Sequence, residues 1–218
     1  MSSKKKSNLF AMNPLASMTR GARSNVTLAD VRTDGGTQPR VQLDDATLNE
    51  YAERMALDED TGAVVDPEGR VWEELVVYND EDGVLWLADG FHRMHAALLA
   101  GLAEFQVRYK SGSQRDAVRY SLGANATHGK RRTNADKRRA VERALRDEQW
   151  STFTDARVAQ LCKVTKTFVG NVRRELESEH AIPFQEILVS ADGREFQRAP
   201  QPRSASPSKP ETKKAAPP

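Results

Sequence analysis

A chain of 218 residues, 38% hydrophobic and 29% charged, suits one ordinary domain or two small ones, long enough to bury a real core. Its formal net charge is only +2, which excludes neither acidic nor basic partners until the chain is divided. The lone cysteine, Cys162, excludes a scaffold of intrachain disulfides, and no segment has the length of an apolar membrane-spanning helix, so a cytoplasmic protein without a membrane partner is expected.

The division is informative. Residues 25–110 carry 7 Lys and Arg against 18 Asp and Glu, a net of −11. Residues 114–177 carry 15 against 8, a net of +7, and residues 1–24 add +5. A phosphate backbone attracts the basic half and repels the acidic one, so a polarised contact with nucleic acid is expected.

In chain order, residues 1–24 are polar and basic without periodicity and read as a flexible arm, with no apolar run of the kind a secretion signal needs. Residues 26–31 read as a strand, followed by the loop Gly35-Gly36-Thr37-Gln38-Pro39-Arg40. Asp44 or Asp45 offers an N-cap for a helix through Met55, with Leu48, Tyr51, Ala52 and Met55 on one face. Residues 74–78 and 84–88, separated by Asn79-Asp80-Glu81-Asp82-Gly83, carry a hairpin signature. Asp89-Gly90 breaks the second strand and a helix starts at once, with Met94, Ala97, Leu98 and Gly101 on one stripe. Gly101 is its stop, and residues 105–109 return as a strand. The order β-α-β-β-α-β describes a small mixed-sheet domain over residues 25–112.

The turn Asp89-Gly90-Phe91-His92-Arg93 lies where a strand hands over to a helix. Unpaired backbone N–H groups and the helix dipole favour an anion there, and Gly90 lets a phosphate approach the backbone. His92 and Arg93 add side-chain donors, and Arg can grip phosphate oxygens with two prongs. Pairing of Arg93 with an acidic neighbour accounts for the same residues equally well. His92 and His95 share a helical face, but two histidines without a third ligand predict no metal site.

Residues 113–177 read as helical throughout. His128-Gly129-Lys130-Arg131-Arg132 leads into a helix capped by Thr133 or Asn134, with Lys137, Arg138 and Arg139 in its first turns. Cations there oppose the helix dipole, so phosphate neutralisation is the better account of the cluster. The sharpest pattern spans residues 154–176, where Thr154 and Thr165 each offer a cap and Ala159 supplies the small residue at which two helices cross. Val158, Cys162, Val164, Val169 and Val172 occupy the apolar positions of a helix-turn-helix, with Lys163 where Gly often stands. The second helix is expected to present Lys166, Thr167, Asn171, Arg173 and Arg174, with residues near its start reaching base edges and Arg173 and Arg174 contacting phosphate. Residues 187–189 and 194–197 suggest a small hairpin within an extension over 178–198, and residues 199–218, rich in Pro, Ser, Lys and Ala, read as a disordered tail.

Thr37-Gln38-Pro39-Arg40 followed by Gly90-Phe91-His92-Arg93, with Ala96-Ala97 and Gly101 behind, resembles the ParB/sulfiredoxin superfamily over roughly residues 25–175. There a Gln-Pro-Arg loop precedes a Gly-Glu-Arg-Arg or Gly-Cys-His-Arg motif at a helix start. The resemblance implies an α+β protein, a small mixed-sheet ParB/sulfiredoxin-like domain followed by an all-helical helix-turn-helix domain. It also implies CTP or ATP, with Mg, surrounded by Arg40, Gly90, His92 and Arg93. Phe91 stands where sulfiredoxin has Cys and ParB has Glu. Ala124-Asn125-Ala126-Thr127-His128 replaces Glu-Asn-x-x-Arg, keeping Asn125 as a nucleotide residue but losing a carboxylate that would hold Mg.

The functional expectation is a homodimeric, nucleoid-associated DNA-binding regulator or a plasmid or phage partition accessory factor, with a nucleotide switch in its first domain. Its contacts to double-stranded DNA would come from Lys130, Arg131, Arg132, Lys137, Arg138, Arg139, Lys166, Thr167, Asn171, Arg173 and Arg174. Segregation ParB proteins continue into a dimerisation domain, whereas about forty residues follow the helix-turn-helix here, so a stand-alone regulator is favoured. The alternatives are a superfamily enzyme (nuclease, NTPase or small-molecule kinase) and an adaptor whose first domain has lost its nucleotide.

Overall fold

The apolar runs of the acid-rich segment become a five-stranded mixed sheet in the computed structural model, which describes residues 24–124 and 132–199. Its strands are β1 (Ser24–Thr27), β2 (Val31–Arg32), β5 (Leu75–Asn79), β6 (Leu85–Asp89) and β7 (Glu104–Ser111), in the order β1-β7-β5-β6-β2. β7 runs antiparallel to β1 and parallel to β5; β6 runs antiparallel to β5 and parallel to β2. The single strand expected over residues 26–31 is thus two strands at opposite edges, joined by a 3-10 turn, Leu28–Asp30. Such a turn advances about 2 Å per residue, whereas five flat strands span roughly 19 Å, so the sheet must curl until its edges approach. Leu28, buried in the core, holds the crossing in place.

Helices α1 (Asp45–Glu53) and α2 (Phe91–Leu99) belong to the core built with Leu75, Val77, Leu87, Phe105 and Val107. Asp44 caps α1 by accepting from the Thr47 N–H. On α2 the buried stripe is Phe91, Met94 and Ala97; Leu98, expected on it, is exposed. The intervening residues, β3 (Ala56–Leu57) and β4 (Val64–Val65) among them, are fastened by a fully buried Gln106. Its amide bonds both the N–H and the carbonyl of Val64 and the carbonyl of Trp72. Period-two alternation along β5 sends Val76 to the opposite face of the sheet. There it packs with Ala88, Tyr78 and Trp86 against Ala117 and Tyr120 of α3 (Gln114–Gly123).

That packing moves a boundary. The sequence places α3 in the helical domain after residue 112, but its apolar face is satisfied by the sheet, and the chain divides into two compact units between Arg132 and Thr133. The second unit contains α4 (Asn134–Arg146), α5 (Asp155–Cys162), α6 (Lys166–Ser178) and a hairpin of β8 (Ile187–Val189) and β9 (Glu195–Gln197). Thr133 and Asp136 form a reciprocal capping box on α4, and Thr154 and Thr165 cap α5 and α6. The hairpin is integral to this unit: Val189 bridges to Phe153 and accepts from the Thr154 N–H. Arg198 also forks onto Glu177 at 2.7 and 3.0 Å. The molecule is an α+β protein, a small mixed-sheet unit followed by a helical one.

Candidate functional sites

Each unit offers one site. In the second, the inward positions of α5 and α6, Val158, Ala159, Cys162, Val169, Val172 and Leu176, are all buried. The turn between them is made by Lys163 with φ +52°, a left-handed conformation normally given to Gly, and the Val164 N–H closes it on the Ala159 carbonyl at 3.0 Å. With one face of α6 buried, the other is fixed towards solvent, and Lys166, Thr167, Asn171 and Arg174 are exposed. Arg174 donates through Nη2 to the Asn171 side-chain oxygen and through Nε to the Gly170 carbonyl. The pair therefore lies along the helix surface already joined.

Arg173 requires a correction. Expected to meet phosphate, it is 1% exposed, and its guanidinium donates to Asp155 at 2.8 Å and to the carbonyls of Ser151 and Phe153 at 2.9 and 2.7 Å. Burial pushes its pKa down and Asp155 opposes that shift. The physical reason is helical phase: residue 173 follows Val169 by four positions and falls on the buried stripe. Arg173 fastens α6 to the start of α5.

Two other expected DNA contacts are also engaged by partners within the protein. Arg132 is buried and donates to the Leu122 carbonyl at 2.9 Å, where the end of α3 leaves carbonyls without helical partners. Arg138 forks onto Glu175 with two bonds of 2.8 Å and reaches Glu142 at 2.7 Å, tying α4 to α6; these carboxylates push its pKa up. Arg139 remains exposed on α4, while Lys137 is half-buried near Asn134. Arg143, absent from the sequence reading, lies four residues after Arg139; its pKa is lowered first by burial and then by that like charge. The i, i+4 spacing was the available signal. Lys130, Arg131 and Asn125 lie outside the described residues.

The first unit brings Arg40, Gly90, His92 and Arg93 to one cavity of about 220 Å³, walled also by Tyr51, Trp72, Glu73 and Asp89. That volume is below the roughly 300–1,000 Å³ of pockets that enclose whole small ligands, and suits the end of one. Gly90, with φ +98°, is the N-cap of α2 and provides no side-chain cap. A Cβ there would stand 2.5 Å from Leu75 Cδ2, so neither the conformation nor the space admits another residue without strain.

The side chains of the corner are more committed than the sequence suggests. His92 is buried and its Nε2 accepts from the Asp44 N–H at 3.2 Å, so it braces the start of α1. His95 instead meets the Phe91 carbonyl at 2.7 Å. Arg93 pairs with Glu73, stands 3.7 Å from Asp89 and donates to the Glu74 carbonyl at 3.2 Å. Phe91 is buried in the core. Arg93 Nε and Trp72 Nε1, on two residues that line the cavity, are buried N–H donors without a hydrogen-bond partner. Divalent metal is less well provided for: among the described residues no three His, Cys, Asp or Glu side chains are grouped to hold one. Nor is any described helix long and apolar enough to cross a membrane.

No family model matches the chain. A curated relative, the "Streptomycin biosynthesis operon possible regulatory protein" of Streptomyces griseus, is 28% identical over 106 residues, which cover 49% of this chain and 29% of the relative. The match thus spans under a third of that relative's length. Among solved structures, C-terminally truncated ParB from Caulobacter crescentus complexed to the centromeric parS site aligns over 70% of this chain and 71% of its own. Its TM-score is 0.48, at 15% identity. The same protein complexed with CTP-gamma-S aligns over 74% and 90%, with a TM-score of 0.38 and 16% identity. A Pnob8-like ParB-N domain aligns over 81% and 56%, with a TM-score of 0.37 and 15% identity.

Proposed function

We propose that the chain is a ParB-like DNA-binding regulator that docks α5 and α6 as a helix-turn-helix on duplex DNA, with α6 in the major groove. The observation that carries this reading is the exposed row Lys166, Thr167, Asn171 and Arg174 on a helix whose opposite face is buried and whose start is capped by Thr165. Asn and Arg are the side chains that read purine edges, and the bond joining Arg174 to Asn171 moves Arg174 from the phosphate contact expected of it to a base contact, with Lys166 at the helix start taking phosphate instead. Arg139 and Arg143 on α4 extend the backbone contact, as do Lys130 and Arg131. The regulatory role agrees with the description of the Streptomyces griseus relative. A partition accessory role uses the same contacts on a different target, and a homodimer would place two copies of α6 on paired half-sites.

The corner of the first unit is proposed as the seat of a nucleoside triphosphate, CTP before ATP on the sequence resemblance, that switches DNA binding. Arg40, Arg93 and the backbone N–H groups at the start of α2 would hold the phosphates, and Asn125 is proposed as a further nucleotide residue on the sequence resemblance. His92 lines the same cavity and through its Nε2 also positions the start of α1. Fluorescence anisotropy with labelled genomic duplexes across a salt series tests the DNA half. Affinity is expected to fall linearly in log–log form with salt, by a slope of several charges, and binding independent of salt would overturn it. Thermal stabilisation by CTP that is lost in Arg93→Gln tests the switch.

A further inference from the structure

Arg93 is 11% exposed and is met by two carboxylates, so its charge is already matched before any ligand arrives. The two carboxylates differ in how firmly they are held. Asp89 is 14% exposed and accepts from the Gly90 N–H at 2.8 Å, which fixes it to the strand-to-helix turn. Glu73 is 59% exposed, lines the cavity and reaches inward to the Arg93 Nη1. An incoming oxyanion needs that same guanidinium edge for a two-pronged contact. Only Glu73 can vacate it without dismantling the turn.

We infer that Glu73 is an internal competitor that sets the charge threshold of this site, occupying the place of a ligand phosphate until a polyphosphate displaces it. The inference rests on reading the corner as a phosphate site. Every ligand that reaches Arg93 must first break the Glu73 pair, so each is weakened by a common factor. Ligands carrying several phosphates recover that loss through Arg40 and the helix N–H groups. A single phosphate has too few contacts to do so. A nucleoside without phosphate does not reach Arg93 and is indifferent to Glu73.

Isothermal titration of the full chain with inorganic phosphate, pyrophosphate, CTP and cytidine, for wild type, Glu73→Gln and Glu73→Ala, tests this. Both variants should bind pyrophosphate and CTP about tenfold more tightly than wild type, with phosphate binding becoming measurable and cytidine unchanged. Unchanged or weaker pyrophosphate binding in both variants overturns the competitor role, even if CTP binds wild type. Tighter pyrophosphate binding with no CTP binding to any protein supports the competitor role and overturns the nucleotide reading alone. Absence of all anion binding, variants included, overturns both.

Discussion

The two units use arginine in opposite ways, and the contrast explains where charge counting succeeds. In the acid-rich unit the arginine of greatest interest, Arg93, is met by Glu73, Asp89 and the Glu74 carbonyl. In the basic unit, adjacent residues of one helix diverge: Arg173 is buried on backbone carbonyls and Asp155, while Arg174 lies exposed beside Asn171. On the proposed reading, net charge points to the unit that would face DNA, because an acidic surface repels phosphate wherever its individual pairs go. It cannot identify which cations make contact. Helical phase and local carboxylates decide that.

The largest effect should come from breaking the Arg173–Arg174 contrast. Arg173→Ala leaves two carbonyls and Asp155 without their donor and opens a cavity, and should destabilise the second unit by about 3 kcal/mol in chemical denaturation. A melting profile like wild type would mean that Arg173 is available to DNA after all. Arg174→Ala should leave stability unchanged but weaken specific DNA binding by about 1–3 kcal/mol, read by anisotropy at fixed salt. In the first unit, Gly90→Ala should cost about 2 kcal/mol through its positive φ and its collision with Leu75, and should abolish stabilisation by anions. Retained stability would show that the corner tolerates a side chain and does not need close backbone approach.

A smaller effect comes from Thr165→Ala, which removes the cap of α6 and should lower stability by about 1 kcal/mol, with DNA affinity falling alongside. The smallest concerns pH. The Arg138 guanidinium holds the Glu175 carboxyl below its ordinary pKa. Its contribution is therefore present above the usual glutamate range and lost as pH falls through the lowered value. Glu175→Gln should flatten the acid-side loss of stability; an identical acid limb in both proteins would place the linkage elsewhere.

Much of this was legible in the chain. Thr154 and Thr165 announced their helices because capping is local, and where spacing left Asp44 or Asp45 and Thr133 or Asn134 open, Asp44 and Thr133 are the caps. The hairpin of β5 and β6 was legible for the same reason, its turn residues lying between two apolar runs. What depended on distant partners was not. The assignment of α3 to the sheet turns on Val76 and Ala88, far away in sequence. The split of the first strand turns on which edges the sheet brings together. The fates of Arg132, Arg138 and Arg173 turn on carbonyls and carboxylates that only folding supplies. For the cavity, the Gln38-Pro39-Arg40 loop and the Gly90–Arg93 turn were both anticipated, yet Trp72 and Glu73 carry no motif and enter only through the fold.

The most direct test of the account is selection of random duplexes by the full chain, comparing wild type with Asn171→Ala combined with Arg174→Ala. Wild type should enrich a defined sequence, and the folded variant should lose base preference at one or two positions while keeping salt-dependent binding. Enrichment of the same sequence by both proteins would contradict a major-groove role for α6, as would absence of any preferred sequence for wild type.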